Sequence, residues 1–242
     1  AETIAAMWDA AAARGVAAIV LPFLHEEGPA AAALAGTGRP LARLEGHRRA
    51  LLRTDLGGAA YLKATLDPKR RKEAERQRRR LAEDGAVAFS VATRPDEVGP
   101  ALERFLDLEA AGWKGTAGTA LRCAPADAAF IRDAAKTGAA EERFRIATLS
   151  LDGRTIAAGL VGIAQRRAFY LKTAYDEALA RFSPGVLLTH DLTAHLLDDP
   201  AIDDADSIAV ADHPMIDRIW SGRFPVAAVV AGTRPRGHVM FR

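Results

Sequence analysis

The sequence predicts a mixed α/β protein whose sheet has antiparallel hairpins followed by a strand that turns into a helix. From Gly85 onward, apolar runs and amphipathic segments follow one another in the order βααβββαβαββ. Asp152 and Gly153 form a two-residue hairpin signal between two of these runs. The fourth strand, "AFYLKTAY", then leads through an acidic and a basic stretch to Ser-Pro-Gly and an apolar helix. These three observations define the fold class.

The elements before Gly85 are also of α/β type. "TIAAMWDAAAARG" and "GPAAAALAG" are rich in alanine, a strong helix former, and "VAAIVLPF" is an apolar run typical of a buried strand. Shorter apolar runs, "LARLEG", "ALLRTDL" and "AYLKATL", complete residues 1–66. We expect a partial N-terminal domain over residues 1–66 and a second domain over residues 67–242.

The second domain is predicted from β-branched and apolar runs for strands, and from apolar residues at helical spacing for helices. In chain order we expect strand "AVAFSVAT", helix "PDEVGPALERFLDLEAAG", loop "WKGTAGTALRC", helix "APADAAFIRDAAKTG" and strands "RFRIATLSL" and "RTIAAGLVGIAQ". The fourth strand and the helix from Pro184 to Leu197 come next. Strand "DSIAVAD", short helix "PMIDRIWSG" and strands "PVAAVVAG" and "GHVMFR" end the chain.

Composition narrows the classes of function. The formal net charge of +2 over 242 residues does not by itself indicate nucleic-acid binding. Cys123 is the only cysteine, which excludes an internal disulfide and suits a reducing cytoplasm. The apolar run "GVAAIVLPFL" is too short to span a bilayer. His190 and His195 lie on different helix faces, and no cysteine or acidic pattern completes a metal site, so we predict no metal. From the single cysteine and the short apolar run we predict a cytoplasmic protein with no transmembrane segment.

One segment, "DPKRRKEAERQRRRLAEDG", concentrates positive charge on a helix that Asp67 should cap, with Pro68 as the first helical residue. Its eight basic residues are Lys69, Arg70, Arg71, Lys72, Arg76, Arg78, Arg79 and Arg80. Two interpretations remain open: a solvated helix with internal ion pairs, or a contact surface for an acidic membrane, a polyphosphate or RNA. The absence of aromatic residues argues against base stacking.

Two motifs carry a family resemblance. "FLDLEAAGWKGTAGTAL" followed by "AFYLKTAYDEALARFSPGVLL", in this order of elements, resembles the GNAT superfamily of acyl-CoA-dependent N-acyltransferases. More narrowly, the pair looks like the cellulose-biosynthesis-type (CelD-like) acetyltransferases, which are related to FemAB-type peptidoglycan aminoacyltransferases. The resemblance covers residues 67–242 and implies a GNAT fold. It also implies that residues 1–66 are the remainder of a first, degenerate GNAT-like half.

The resemblance implies that the turn after the fourth strand binds acetyl-CoA. Unpaired N–H groups and the positive end of the helix dipole favour a pyrophosphate at such a helix start. The residues that the resemblance assigns to the cofactor are Arg181, Phe182, Ser183, Gly185, Val186 and Leu187. The chain reads "RFSPGV" where many relatives have a basic residue or glutamine, two others, glycine, one other, then glycine or alanine. The alternative is that Ser183 and Pro184 only begin a well-capped helix.

Acyl transfer to an amine requires a base for the amine and a proton for the leaving thiolate. Asp176 and Glu177 follow the fourth strand and are candidates for the base, with a solvated acidic loop as the alternative. Tyr175 is a candidate donor to the thiolate. His213, beside Asp212, is a further candidate base, although a histidine here also suits a cap for the short helix.

The amine acceptor is expected to contact the first motif. In the family, the region between the first two helices covers the acceptor, which assigns Glu109, Trp113 and Lys114 to substrate binding. Lys172 lies two residues from Tyr170 and is therefore expected on the same strand face. If it faces inward, it needs an acidic or phosphate partner.

Three functions remain open on the sequence. The first is direct acyl transfer from acetyl-CoA to a small-molecule or sugar amine. The second is a FemAB-like aminoacyltransferase that uses aminoacyl-tRNA, which the basic helix would suit. The third is a non-catalytic GNAT-fold module in envelope polysaccharide assembly. The sequence specifies neither the acceptor nor the oligomeric state.

Overall fold

The computed structural model describes residues 2–234, without the side chain of Glu2. The final predicted strand, "GHVMFR", lies outside the described residues. The helices are α1 (Glu2–Ala13), α2 (Pro29–Ala35), α3 (Gly58–Thr65), α4 (Pro68–Glu83), α5 (Pro95–Ala111), α6 (Trp113–Thr116), α7 (Pro125–Ala140) and α8 (Pro184–Leu197). The strands are β1 (Ala18–His25), β2 (Leu41–Leu52), β3 (Val87–Ala92), β4 (Phe144–Leu151), β5 (Arg154–Ala164), β6 (Arg167–Tyr175), β7 (Asp204–Asp206) and β8 (Gly222–Gly232). Short 3-10 helices occupy Leu121–Cys123, Glu177–Phe182 and Ile216–Arg218.

The chain forms two compact units. One contains residues 2–49 and 223–234 of the described part, and the other contains residues 50–222. Residues 50–66, which the sequence analysis grouped with the first domain, thus lie within the larger unit. The reason is tertiary: the hydroxyl of Tyr61 on α3 contacts the carbonyl of Ile219 at 3.2 Å, and the side chain is buried. No apolar pattern along residues 50–66 reveals such a distant contact.

The smaller unit is built on β1 and β8, which pair antiparallel from Ala18↔Gly232 to His25↔Val226. Trp8 of α1, Leu34 of α2 and Ala231 of β8 form its buried cluster. Arg39 is buried, and its guanidinium donates to Asp9 and to the carbonyl of Thr233, each at 2.5 Å.

The larger unit contains a mixed sheet, which confirms the predicted fold class. Strands β3, β4, β5 and β6 pair antiparallel in sequence order, and β6 pairs parallel with the short β7. The end of β2 pairs antiparallel with β7 through Leu51↔Asp206. The hairpin between β4 and β5 turns at Asp152 and Gly153, both at positive φ as this turn requires.

Helices cover both faces of this sheet. On one face, α5 and α7 bury Phe105 and Ile131 against Ile146 and Leu160. On the other face, α3, α4 and α8 share a cluster that includes Leu149. The two-residue repeat of the strands produces this division, because neighbouring residues such as Ile146 and Ala147 point to opposite faces.

A β-bulge at Leu171 changes this repeat within β6. Leu160 pairs with Lys172 and Val161 pairs with Tyr170, which leaves Leu171 as an extra residue. Tyr170 therefore packs in the cluster on the α8 face, whereas Lys172 reaches Glu109 on α5. The prediction that Tyr170 and Lys172 share a face is wrong, because one extra residue reverses the orientation of everything after it.

The fifth strand of the second domain is also shorter than predicted. β7 ends at Asp206, and the following Ile208 adopts φ 52, a left-handed conformation that ends an extended strand. The Asp206 carboxylate accepts the Ile208 N–H at 2.8 Å and holds this turn. Parallel pairing of β6 with β7 accordingly stops at Phe169↔Asp206, while β6 continues to Tyr175.

The basic helix α4 begins as predicted, because the Asp67 carboxylate accepts the N–H groups of Lys69 and Arg70. Trp113–Thr116 and Leu121–Cys123 form short helices where a loop was predicted. Within residues 2–234, no helix combines the length and apolar character needed to cross a membrane.

Candidate functional site

A cavity of 610 Å³ opens between the end of α5 and the end of β6. Leu108 and Gly112 line it from α5, and Arg154 lines it from the start of β5. Tyr175, Asp176 and Glu177 complete its wall after β6. We call this space the α5–β6 cavity. It brings together three of the four predicted acid-base candidates.

A smaller cavity of 30 Å³ adjoins it and shares four lining residues, Leu108, Gly112, Tyr175 and Glu177. Glu109, Trp113 and Lys114 also line this inner cavity. Three of the four predicted substrate residues and two of the predicted acid-base residues, Tyr175 and Glu177, thus line one small cavity.

Glu109 is the buried centre of a charge cluster. Its side chain is 0% exposed, and its Oε1 lies 2.5 Å from Lys172 Nζ and 3.6 Å from Lys114 Nζ. Its Oε2 accepts the N–H of Leu121 at 2.8 Å. Lys172 therefore has the acidic partner that an inward-facing lysine requires.

Lys114 is held from two directions. Besides Glu109, its Nζ donates to the carbonyl of Thr173 on β6 at 2.8 Å. Burial lowers the pKa of Lys114, and the positive charge of Lys172 lowers it further, while Glu109 opposes both effects. Two ammonium groups thus share one buried carboxylate.

Glu177 lies at the junction of the two cavities. Its Oε1 accepts the N–H of Trp113 at 2.6 Å, which caps the start of α6. Its Oε2 accepts no hydrogen bond from the described residues. The indole of Trp113 is 57% exposed, so this side chain is not part of the core.

Asp176 has less freedom than Glu177. Its Oδ1 accepts the N–H of Ala178 at 3.0 Å, and its Oδ2 pairs with Arg154 at 2.6 Å. Both carboxylate oxygens are therefore engaged. Tyr175, in contrast, forms no hydrogen bond through its hydroxyl with residues 2–234.

The start of α8 differs from the expectation in its donors. Ser183 is the N-cap residue at φ 50, ψ 51, and its side chain makes no capping hydrogen bond. Its carbonyl accepts the N–H groups of Val186 at 2.9 Å and Leu187 at 3.1 Å. Of the backbone N–H groups of Gly185, Val186 and Leu187, the last two are thus already bonded within the helix. Gly185 remains as the candidate donor to a pyrophosphate. A Cβ on Gly185 would lie 3.4 Å from the Tyr175 ring.

A second cavity, of 240 Å³, lies beside the first turn of α8. Arg70 of α4 and Arg218 supply its cationic groups, and Val186, Met215 and Leu66 supply apolar lining. Among its described lining residues none is acidic, and neither arginine forms an ion pair with a described residue. We call this space the α8 cavity. Arg70 is one of the eight bases predicted on α4, but neither it nor Arg218 was predicted as a site residue.

His190 lines the α8 cavity and also a neighbouring cavity of 510 Å³. Burial lowers the pKa of His190 to about 4, and the guanidinium of Arg78 contributes. Arg78 itself pairs with Asp191 at 2.6 Å, which ties α4 to α8. Burial, and to a smaller extent the charge of Arg78, thus disfavour protonation of His190.

Three predicted site residues lie apart from these groups. His213 accepts the N–H groups of Met215 and Ile216 at its Nδ1, so it caps the following 3-10 helix, and it lines neither cavity. Arg181 is exposed and pairs with Asp84 at 3.4 Å. Phe182 is buried in the core. Within residues 2–234, no group of histidine, cysteine and acidic residues could hold a metal ion.

Comparisons with known proteins agree with this architecture. A family profile described as "Acetyltransferase (GNAT) domain" matches residues 68–208, more than half of the chain. GNAT domains in general use an acyl-CoA co-substrate, and the α8 cavity fits such a group because it combines apolar lining with two arginines. No curated protein matches the chain in sequence.

Solved structures share the fold at low sequence identity. A conserved protein of unknown function from Bacteroides thetaiotaomicron has a TM-score of 0.61 at 10% identity, over 96% of this chain and 75% of that one. The C-terminal DUF2156 domain of a putative lysylphosphatidylglycerol synthetase from Agrobacterium fabrum has a TM-score of 0.59 at 14% identity, over 93% of this chain and 71% of that one. FemX has a TM-score of 0.58 at 9% identity, over 95% of this chain and 75% of that one. The chain therefore belongs to the GNAT acetyltransferase family.

Proposed function

We propose that this protein is an N-acyltransferase that moves an acyl group, acetyl in the simplest case, from acyl-CoA directly to an amine. The observation that carries the proposal is the position of Tyr175. Its ring lies against Gly185 at the start of α8, and the same residue lines the α5–β6 cavity. A donor bound at α8 and an acceptor bound beside α5 would meet there.

The donor side is assigned to the α8 cavity. Arg70 and Arg218 suit the phosphates of coenzyme A, since guanidinium groups bind phosphate oxygens in a bidentate manner. The N–H of Gly185 at the second helical position adds a donor at the positive end of the helix dipole. When bound, acyl-CoA supplies the thioester carbon that the amine attacks, and coenzyme A leaves as the thiol.

On the acceptor side, Glu177 is the base in this proposal. The free Oε2 of Glu177 takes the proton that the amine loses as the N–C bond forms and the C–S bond breaks. Asp176 is a weaker candidate because both of its oxygens are engaged. The unpartnered hydroxyl of Tyr175 gives a proton to the leaving thiolate and regains one from solvent.

The test is a thiol-release assay with acetyl-CoA and a panel of amines, combined with mass spectrometry of the products. We expect acceptor-dependent release of coenzyme A and an amide product. Glu177→Gln keeps the carbonyl that caps Trp113 but removes the base, so the variant should fold and lose turnover. Acetyl-CoA hydrolysis without an amide product, or no turnover with any amine, would contradict the proposal.

A second candidate, aminoacyl transfer from tRNA, has one observation in its favour. Lys69, Lys72, Arg79 and Arg80 are exposed on one side of α4, and none forms an ion pair with residues 2–234. Phosphate contacts of this kind would make tRNA binding fall steeply with salt. Salt-independent binding, or none, would remove this candidate and leave the proposed acyl-CoA reaction.

Two finer assignments are also proposals. The motifs around Trp113 and Pro184 support membership of the CelD-like branch within the GNAT family. The smaller unit supports the idea that residues 1–66 are the remainder of a first, degenerate GNAT-like half. A non-catalytic role in envelope polysaccharide assembly becomes the better account if acyl-CoA does not bind.

A further inference from the structure

We propose that the amine acceptor carries a carboxylate near its reactive nitrogen, as an amino acid does, and that Lys114 and Lys172 bind this carboxylate. The inference rests on the proposed function and names its substrate class. It follows from the hydrogen bonds and charges around Glu109 and from the inner cavity, which Lys114 lines, while Lys172 reaches the same Glu109 oxygen from β6.

The two lysines keep hydrogen-bond donors for a ligand. An ammonium group has three N–H donors. Lys172 Nζ bonds one described acceptor, Glu109 Oε1, and Lys114 Nζ bonds Thr173 and lies within ion-pair distance of Glu109. Each oxygen of Glu109 already accepts one hydrogen bond, from Leu121 or from Lys172, so this carboxylate has fewer free lone pairs than the two ammonium groups have donors left.

The cluster also has excess positive charge. Two cations, with side chains 22% and 30% exposed, surround one carboxylate that is fully buried. Burial of Lys114, and then the neighbouring charge of Lys172, lower its pKa, which is the cost of holding this ammonium group charged here. A ligand carboxylate would neutralise the second cation and remove that cost, whereas a neutral ligand would not.

The position of Glu177 places an opposite charge at a short distance. Glu177 lines the same inner cavity as Lys114 but forms no ion pair with either lysine. Its open Oε2 attracts an amine, while the lysines attract an anion. The inner cavity of 30 Å³ has room for one small group, about the size of a water molecule, and the α5–β6 cavity holds the rest.

A purely structural role is the alternative. The lysines also fasten α6 and the following loop to β6, through Thr173, and Glu109 holds Leu121. In that case, their removal would loosen the protein without changing which acceptors it prefers. The experiment must therefore measure preference as well as activity.

The experiment compares amino acids with their uncharged α-carboxamides as acceptors. We expect wild-type protein to favour the acids by at least about tenfold in kcat/KM, which corresponds to about 1.4 kcal/mol. Lys114→Met and Lys172→Met should abolish this preference, mainly through KM for the acids. Lys172→Arg should restore part of it. Lys136→Met, an exposed change on α7 away from both cavities, should leave it intact.

If Lys114→Met or Lys172→Met does not fold, a second variant tests the same preference. Glu109→Gln combined with Lys172→Met removes an anion and a cation together and should fold while showing no preference. Equal use of acids and amides by wild-type protein, or a preference that survives in Lys114→Met and Lys172→Met, would overturn the inference and leave the acyltransferase proposal standing.

Equilibrium dialysis with radiolabelled amino acids separates the two proposals when no acyl transfer occurs. Binding of the acids but not the amides, lost in Lys172→Met, would support the carboxylate site although the acyltransferase proposal fails. The absence of both binding and transfer would overturn both.

Discussion

The α5–β6 cavity and the α8 cavity are lined by different residues and differ in their charges. The first contains Asp176 and Glu177 and adjoins the cluster of Glu109, Lys114 and Lys172, all within a network of short polar contacts. The second contains arginines over apolar side chains, with no acid among its described lining residues.

Under the proposed function, this difference corresponds to the two chemical tasks of acyl transfer. A phosphate-bearing donor needs cations without competing acids. An amine acceptor needs a carboxylate that can attract it and accept its proton. Tyr175 lines the first cavity, and its ring lies beside Gly185, the residue before Val186, which lines the second.

The largest effect should come from removing the proposed base. We expect Glu177→Gln to lower kcat by at least about 100-fold, since positioned acid-base groups contribute factors of this order or more. Asp176→Asn should lower kcat much less, because its oxygens already bond Ala178 and Arg154. Steady-state kinetics with saturating acetyl-CoA distinguish the two. Equal losses would mean that Glu177 has no special role.

The next effect concerns the buried cluster. Glu109→Gln should lower the free energy of unfolding by about 3 kcal/mol, because it leaves two partly buried lysines without their acid. The double variant with Lys172→Met should recover most of this loss. Urea unfolding measures both variants. A loss below about 0.5 kcal/mol for Glu109→Gln would show that the cluster does not behave as a buried charge pair.

The pH dependence of stability probes the α8 side. In the folded protein the pKa of His190 is about 4, below its ordinary 6.5. Above pH 6.5 the histidine is neutral in both states, and the contribution is absent. As pH falls from 6.5 to about 4, the unfolded state binds a proton that the folded state does not, so the free energy of unfolding decreases.

The total loss should be about 3 kcal/mol, from about 1.4 kcal/mol for each unit by which the pKa is lowered. Urea unfolding at pH 7, 5.5 and 4 should show a smaller decrease for His190→Asn than for wild-type protein. Parallel pH profiles would mean that His190 does not carry the effect.

The smallest effect belongs to the rim of the α5–β6 cavity. Arg154 is mostly exposed where it pairs with Asp176. Arg154→Ala should therefore change the free energy of unfolding by less than about 1 kcal/mol. A thermal melt measures it. A large destabilisation would show that this rim contributes more to folding than its exposure indicates.

Much of the fold could be predicted from local patterns. The Asp152-Gly153 turn, the capped start of α4 and the order of the elements from β3 to β8 depend on residues close in sequence, and these predictions agree with the structure. The predicted extent of the fifth strand is wrong, because Ile208 adopts a left-handed conformation and β7 ends at Asp206. An isoleucine carries no sequence signal for that conformation.

The site could be predicted only in part, for a similar reason. Lys172 was expected to need an acidic partner if it faced inward, and Glu109 was named separately. Their pairing depends on the bulge at Leu171, and no residue in "FYLKTAY" predicts a bulge there. Arg218 lies at the α8 cavity because of tertiary packing, which the spacing of residues in the sequence does not predict.

The central claim is that the α8 cavity binds the acyl-CoA donor, and calorimetric titration of acetyl-CoA tests it most directly. We expect one site in wild-type protein, and at least about tenfold weaker binding for each of Arg70→Glu and Arg218→Glu, since each removes a charge-assisted phosphate contact. Arg79→Glu, an equal change of charge on the outer side of α4, should bind almost as the wild type does. Acetyl-CoA binding that is unaffected by Arg70→Glu and Arg218→Glu, or no binding at all, would contradict the account.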